Sequence, residues 1–106
     1  MIQAEFYRRN SQLLGFCISG HADAGESGSD IVCAAVSSAA YFAANTITDV
    51  IGVKANIAVK SGRLFFKIPE HDAASCSDIL KGFRLHLSGL SKQYPKYIYL
   101  IDTEVQ

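Results

Sequence analysis

Two residues that together can activate a nucleophile, His21 and Cys33, flank a stretch rich in glycine and serine. The thiolate is the reactive form of cysteine, and an imidazole beside it can act as general base and then as general acid to a leaving amine. Twelve residues separate the pair, so they meet only if the intervening segment folds back, as we expect it to do. This pair is the main candidate for chemistry in the chain.

Cys33 lies near the start of the longest predicted helix, which follows Ser29 and Asp30 and runs to about Val50. Serine and aspartate are favoured at the N-cap of a helix, and with Asp30 in that position Cys33 is the third helical residue. Unpaired backbone N–H groups and the positive end of the helix dipole stabilise an anion there. The same N–H groups could receive the oxyanion of an attacked carbonyl.

This helix carries two kinds of face. Apolar residues recur at helical spacing on one face, namely Val32, Val36, Ala39, Ala43, Ile47 and Val50, and small residues line an adjacent one, namely Cys33, Ser37, Ala40 and Ala44. Small residues permit close approach by another backbone or by a substrate, although a helix that is buried on two sides shows the same pattern.

Strand patterns surround the two predicted helices. Alternating apolar residues predict strands at about residues 2–8, 13–19, 55–60, 64–68 and 97–101, with a hairpin turn at Ser61-Gly62. The second helix follows an acidic turn at residues 70–72 and buries Cys76, Ile79, Phe83, Leu87 and Leu90. Residues 102–106 form a polar tail.

The element order β-β-α-β-β-α-β predicts an α+β fold. We expect a two-layer sandwich in which a mixed sheet of about five strands carries both helices on one face. The 106 residues suffice for one domain, spanning 1–106.

The amino-acid composition limits the kinds of partner that the protein is expected to bind. The ten basic and ten acidic residues cancel, so no overall field attracts nucleic acid or an anionic membrane. No run approaches the roughly 20 apolar residues of a membrane span, and the N-terminus lacks a signal-peptide pattern. We therefore expect a cytoplasmic protein with no membrane partner and no direct contact with nucleic acid. In such a compartment Cys17 and Cys76 are interpreted as core residues rather than as disulfide partners.

Several competing kinds of site are excluded by missing residues. No arginine follows Cys33 to hold a phosphate, and the chain has no C-x-x-C pair, no zinc-type ligand spacing and no glycine pattern of a nucleotide loop. The sequence therefore predicts no cofactor and no metal. His71 and His86 are interpreted as surface residues.

The segments GHA at 20–22 and DIVCAAVS at 30–37 resemble the signature of the ribosomal-processing cysteine protease family, Prp. The resemblance extends over essentially the whole chain, including the ending YPKYIYL. Members of this family are small bacterial cytoplasmic homodimers that remove the N-terminal extension of the precursor of large-subunit ribosomal protein twenty-seven. The resemblance thus implies a cysteine endopeptidase of ribosome maturation that forms a homodimer and takes that precursor as its substrate.

By the same resemblance, Cys33 corresponds to the nucleophile and His21 to the catalytic histidine. Gly20, Asp30 and Ser37 belong to the same motifs, with Asp30 as helix cap and Ser37 one turn after Cys33, where it can contact the thiol or the substrate. The segment between the motifs resembles the family's mobile loop, which orders over a bound peptide. It consists of Ala22, Asp23, Ala24, Gly25, Glu26, Ser27, Gly28 and Ser29.

Two further interpretations remain open. Asp23, Glu26 and Asp30 concentrate negative charge that could orient a basic substrate, although a solvated acidic loop explains them equally well. A different class of function is a non-catalytic ribosome-assembly or RNA-binding module that uses exposed aromatic residues such as Phe65, Tyr97 and Tyr99. The neutral net charge argues against that module.

Overall fold

The computed structural model of the chain describes residues 1–20 and 29–106, without the side chain of Ser29. Its elements are β1 (Ile2–Arg9), β2 (Gln12–Ser19), α1 (Ser29–Asn45), β3 (Asn56–Lys60), β4 (Arg63–Lys67), α2 (Ser77–Gln93) and β5 (Ile98–Glu104). A π-helical turn, Thr46–Ile51, follows α1, and a 3-10 turn, Glu70–Asp72, precedes α2. The predicted order of strands and helices is confirmed.

The five strands form one mixed sheet in the order β3-β4-β2-β1-β5. Three neighbouring pairs are antiparallel, and β1 with β5 is the parallel pair. A bulge between Tyr7 and Arg8 interrupts the register of β1 with β2. Consequently β3 and β5 form the two edges of the sheet, and the predicted α+β fold with a five-stranded mixed sheet is confirmed.

Aromatic side chains join the sheet to α2. The ring centroid of Phe83 on α2 lies 5.6 Å from that of Phe6 and 4.6 Å from that of Phe16. Phe16 also stacks on Phe66 at 5.2 Å. Val32 and Val36 of α1 belong to the same buried cluster, so both helices cover one face of the sheet. Full burial of each such side chain contributes about 1.5–3 kcal/mol.

The buried stripe of α2 is close to the predicted one. Cys76, Phe83 and Leu87 are almost completely buried, as predicted. Leu80 is also completely buried, whereas the neighbouring Ile79 is only half-buried. Leu80 lies four residues after Cys76 and three before Phe83, so it belongs to the centre of the stripe, and Ile79 lies at its edge.

The π-helical turn changes which side chains of the first helical region face the core. Val32 and Ile47 are 0% exposed, in agreement with the predicted apolar face, but Val50 on the same predicted face is 79% exposed. A π-helix bonds residue i to i+5, so its turns are wider than 3.6 residues. Val50 is thereby rotated away from the core, and Gly52 ends the helix in a left-handed conformation with φ of 84°.

The helical stretch Asp30–Ile51 is long and apolar enough, by length and composition alone, to cross a membrane. The expectation that no apolar run approaches that length is therefore wrong. In this fold the apolar side chains Val32, Val36 and Ile47 lie in the core beneath α1. A core helix passes the same test of length and composition, so the stretch carries no assignment to a membrane.

The predicted polar tail after residue 101 is wrong in its first half, because β5 continues through Glu104. The register with β1 extends to the pair Arg8 and Glu104. Asp102 accepts two hydrogen bonds from Arg84 of α2, at 2.9 and 2.6 Å. Polar side chains on this edge strand are thus anchored by partners from α2 and β1, which local sequence patterns cannot show.

Candidate active site

Cys33 lines a cavity of about 260 Å³ between α1 and the ends of four strands. From α1 come Cys33, Ser37 and Tyr41, which are spaced four residues apart and therefore share one helix face. The start of β1, the end of β2 and the turn that joins β3 to β4 supply the rest of the lining. The thiol on α1 thus faces a cavity whose opposite side is formed by the ends of the strands.

The small residues of α1 make this space possible. Ser37 is exposed and Ala40 is buried, and both line the cavity together with the half-buried Cys33. Ala44, the fourth predicted member of this face, is buried in the core instead. Since side chains larger than serine or alanine would fill the volume beside the thiol, the predicted small face of the helix is open to a ligand at its N-terminal end.

The first turn of α1 differs from the predicted one. The helix begins at Ser29, so Asp30 lies inside the first turn rather than at the N-cap, and Cys33 is the fifth helical residue rather than the third. In a regular helix the N–H of residue five bonds to the carbonyl of residue one, so the free N–H groups precede Cys33. The Cα–Cβ bond is tilted towards the helix N-terminus, which still directs the thiol towards that end.

Gly20 contributes to the sheet side of the same cavity. Its φ of 88° is left-handed, and a Cβ at this position would lie 2.4 Å from the carbonyl oxygen of Met1. Its N–H donates to the carbonyl oxygen of Gly62 at 3.0 Å. Because both the conformation and the contact exclude a side chain, this position requires glycine.

The predicted partner of Cys33 and most of the predicted loop fall outside the described residues. These are His21, Ala22, Asp23, Ala24, Gly25, Glu26, Ser27 and Gly28, together with the side chain of Ser29. The His21–Cys33 pair and the mobile loop therefore stay predictions. Of the remaining motif residues, Gly20 and Ser37 line the cavity with Cys33, whereas Asp30 is not among its lining residues and is exposed in the first turn of α1.

The other two cysteines, both in the described part of the chain, lie in the protein interior as predicted. Cys17 is 3% exposed and Cys76 is 0% exposed. Burial raises the pKa of the Cys76 thiol, and the neighbouring Asp72 carboxylate adds to the effect. Burial keeps both thiols from solvent, so Cys33 is the most accessible of the three cysteines.

The two described histidines are exposed surface residues, as predicted, and neither lines the cavity. His71 lies 3.3 Å from the carboxylate of Asp72, and His86 lies on α2. Within residues 1–20 and 29–106, no group of three or more histidine, cysteine, aspartate or glutamate side chains could hold a metal ion.

Tyr41 and Val59 are among the cavity residues that the sequence-based set of site residues lacks. Both have large apolar side chains that are substantially exposed, at 49% for Tyr41 and 59% for Val59. Tyr41 could have been found from its position eight residues after Cys33 on the same helix face. Val59 could not, because only the strand order brings β3 beside α1.

The three aromatic residues of the RNA-binding hypothesis do not form one exposed surface. Phe65 is half-buried against Tyr7, with 5.7 Å between ring centroids, and Tyr97 packs against the core. Tyr99 alone of the three is exposed, and its hydroxyl donates to Gln3 at 2.5 Å. Burial raises the pKa of Tyr7, whose ring packs against Phe65, to about 12.

Comparison with known proteins connects this site to a family. Residues 1–99 match the family described as cysteine protease Prp. The ribosomal processing cysteine protease Prp of Bacillus subtilis (strain 168) is 34% identical over 73 residues, which make up 66% of this chain and 65%, just under two thirds, of that relative.

Solved structures agree in fold. An essential ribosomal processing protease Prp from S. aureus, in complex with a substrate peptide, matches with a TM-score of 0.87 and 23% identity over 97% of this chain and 100% of that one. A protein from Streptococcus mutans matches with a TM-score of 0.85 and 25% identity over 99% of each chain. With a family match over 99 of 106 residues, this chain belongs to the cysteine protease Prp family.

Proposed function

We propose that this protein is a cysteine endopeptidase with Cys33 as its nucleophile. The observation that carries the proposal is the position of Cys33, which is half-buried, lines a cavity and lies in the second turn of α1. The chain belongs to a family of cysteine proteases, which supports this cysteine as the reactive one. A thiol in the core could not reach a peptide, and this thiol is open to one.

The proposed reaction assigns His21 as general base and acid. His21 accepts the thiol proton, and Sγ of Cys33 attacks the carbonyl carbon of the scissile bond. The oxyanion faces the N–H groups that precede Cys33 at the start of α1, where the helix dipole is favourable. The C–N bond then breaks as the imidazolium gives its proton to the leaving amine, and water hydrolyses the thioester to release the second product and the free thiol.

The proposed substrate is the precursor of large-subunit ribosomal protein twenty-seven, from which the enzyme removes the N-terminal extension. The Bacillus subtilis and S. aureus relatives are named as ribosomal processing proteases, which supports this class of substrate. The motif resemblance at 20–22 and 30–37 supports the particular precursor and a cytoplasmic location.

We also propose that the protein is a homodimer. Phe42 is 66% exposed and lines a groove between α1 and α2 with Ala39 and Ile79. Exposed apolar side chains that border a groove are typical of association surfaces. Light scattering coupled to size-exclusion chromatography tests this, since a mass near 11.5 kDa at micromolar concentration would contradict a dimer.

Mass spectrometry of the candidate precursor before and after incubation tests the activity. We expect one cut at the end of the extension, and a loss of about a thousandfold or more in rate for Cys33→Ala and for His21→Ala, because residues that act as one unit lose most of the catalysis when either is removed. Cys17→Ala, at the buried cysteine, is the matched control and should retain most activity. An uncut precursor, or full turnover by Cys33→Ala, would overturn the assignment.

A further inference from the structure

The edge strand β3 adjoins the candidate active site. It pairs with β4 on one side, and all five of its residues are exposed. At its C-terminal end, Val59 and Lys60 line the cavity that contains Cys33. A chain that lay along the free edge of β3 would therefore run into the cavity.

The hydrogen bonds of β4 show which of its backbone groups face which neighbour. The carbonyl of Gly62, just before β4, accepts from Gly20, and the N–H of Ile68, just after β4, donates to the carbonyl of Leu14, which lies on β2. Successive residues of a strand direct their N–H and C=O groups to opposite sides. The backbone N–H and C=O groups of even-numbered residues in this segment are therefore directed towards β2. Those of odd-numbered residues such as Phe65 are directed towards β3.

This alternation leaves two residues of β3 with outward-facing backbone groups. Ala58 is paired with Phe65, so its N–H and C=O groups face β4. Ile57 and Val59, on either side of Ala58, direct theirs to the free edge. The described part of the sheet thus has two N–H and two C=O groups at this edge that no other strand pairs.

The side chains of Ile57 and Val59 lie on the helix-covered face of the sheet. Their register partners are Phe66 and Leu64, both buried in the core. Nevertheless, Ile57 is 46% exposed and Val59 is 59% exposed. An unpaired strand edge with exposed apolar side chains is normally covered or paired in native proteins.

We propose that the substrate peptide binds as an added strand along β3, with its main chain hydrogen-bonded to Ile57 and Val59. This inference rests on the proposed function and specifies how its substrate is held. In strand addition the main-chain bonds supply affinity and pockets for alternate side chains supply specificity. One apolar side chain of the substrate enters the cavity between Val59 and Tyr41. The occupant is a substrate because the edge is continuous with the Cys33 cavity.

Hydrogen exchange provides a residue-by-residue test. The inactive variant Cys33→Ala is mixed with an uncleaved peptide that spans the extension junction of the ribosomal protein precursor, and binding is followed independently by fluorescence anisotropy. We expect the amides of Ile57 and Val59 to exchange at least about tenfold more slowly in the complex, while Ala58 and Lys60, already bonded to β4, change little. Peptide that binds without protecting Ile57 and Val59 overturns strand addition.

Other outcomes separate this inference from the proposed function. If wild-type protein neither binds nor cleaves the junction peptide, the proposed function fails, and strand addition fails with it. If cleavage is normal but the two amides stay unprotected in the complex, strand addition alone fails. Protection of Ile57 and Val59 that grows with protein concentration in the absence of peptide assigns the edge to a second copy of the chain and overturns the proposal.

A proline substitution tests the same bond by kinetics. Val59→Pro removes the N–H of residue 59, which points to the free edge, and leaves the hydrogen bonds between β3 and β4 intact. An edge strand tolerates proline at such a position. Val59→Thr keeps the N–H and the branched shape, so it is the matched control. We expect kcat/KM to fall about three- to tenfold further for the proline variant than for the threonine variant, because only the proline variant loses one main-chain hydrogen bond to the substrate. Iodoacetamide modification of Cys33 at the wild-type rate in both variants shows that the site is intact, and equal kcat/KM values would then contradict the proposal.

Discussion

Gly20 and Cys33 line one cavity, although they belong to different layers of the fold. The glycine directly follows β2, and its N–H is bonded to Gly62 at the turn between β3 and β4. The cysteine lies on α1, whose apolar face is buried against the core. The sheet therefore positions the residue that precedes His21 in the sequence, and the helix positions Cys33, the proposed nucleophile.

Replacing Gly20 tests how strongly the sheet requires this conformation. Gly20→Ala should lower the free energy of unfolding by more than about 2 kcal/mol, because left-handed backbone costs 1–2 kcal/mol and the new Cβ also meets the Met1 carbonyl at 2.4 Å. Gly52→Ala is the control, since its φ is 84° and nothing lies within 4 Å. Urea denaturation should rank the losses Gly20→Ala above Gly52→Ala, and the reverse order would contradict the clash.

Thiol modification of the native protein tests the accessibility of Cys33. Iodoacetamide should label Cys33 on the order of a hundredfold faster than Cys17 or Cys76, because buried groups react only after local opening. Burial also raises the pKa of Cys76, which keeps that thiol protonated. Peptide mapping by mass spectrometry gives the three rates, and in concentrated urea they should converge. Equal rates in the native protein would favour a non-catalytic module.

The Arg84–Asp102 pair should make stability depend on pH in acid. The hydrogen bonds and charge of Arg84 lower the pKa of Asp102, so between the folded and unfolded pKa values the unfolded chain binds more protons. The contribution is present above the unfolded value of about 4 and is lost as the pH falls through the folded pKa. Both side chains are about one-third exposed, so we expect at most about 1 kcal/mol.

Urea denaturation of wild type and Asp102→Asn at neutral pH and near pH 3 measures this contribution. The asparagine variant should be less stable at neutral pH, and the difference should shrink in acid. Asp49→Asn, in the π-helical turn after α1, is the control, because that carboxylate is exposed and has no described ion pair. A difference that grows as the pH falls would contradict the sign of the linkage.

Salt dependence tests whether the acidic residues of the predicted loop, Asp23 and Glu26, orient the substrate. Asp23→Asn combined with Glu26→Gln should reduce cleavage of the proposed precursor, which we expect to be basic, more at low salt than at high salt, because the Debye length falls from about 30 Å at 0.01 M to about 10 Å at 0.1 M. Steady-state kcat/KM at several ionic strengths measures the effect. The same loss at every salt concentration would leave these residues as a solvated acidic loop.

Short-range patterns account for what was predictable. The two-residue alternation of β1 and the helical spacing of Val32, Val36 and Ile47 report burial directly, so the element order and most of the core followed from them. The predicted burial of Val50 is wrong because the π-helical turn changes the helical period. The sequence pattern does not predict the second half of β5, because its polar residues are held by contacts with α2 and β1.

The sequence by itself determined the order of the elements, most of the buried face of each helix and the motif that contains Cys33, because each depends on residues a few positions apart. Only the tertiary structure decided that β4 pairs with β2, which places Val59 and the free edge of β3 beside Tyr41 and Cys33. Strand order is a long-range choice made by the packing of the whole core, and no local period encodes it.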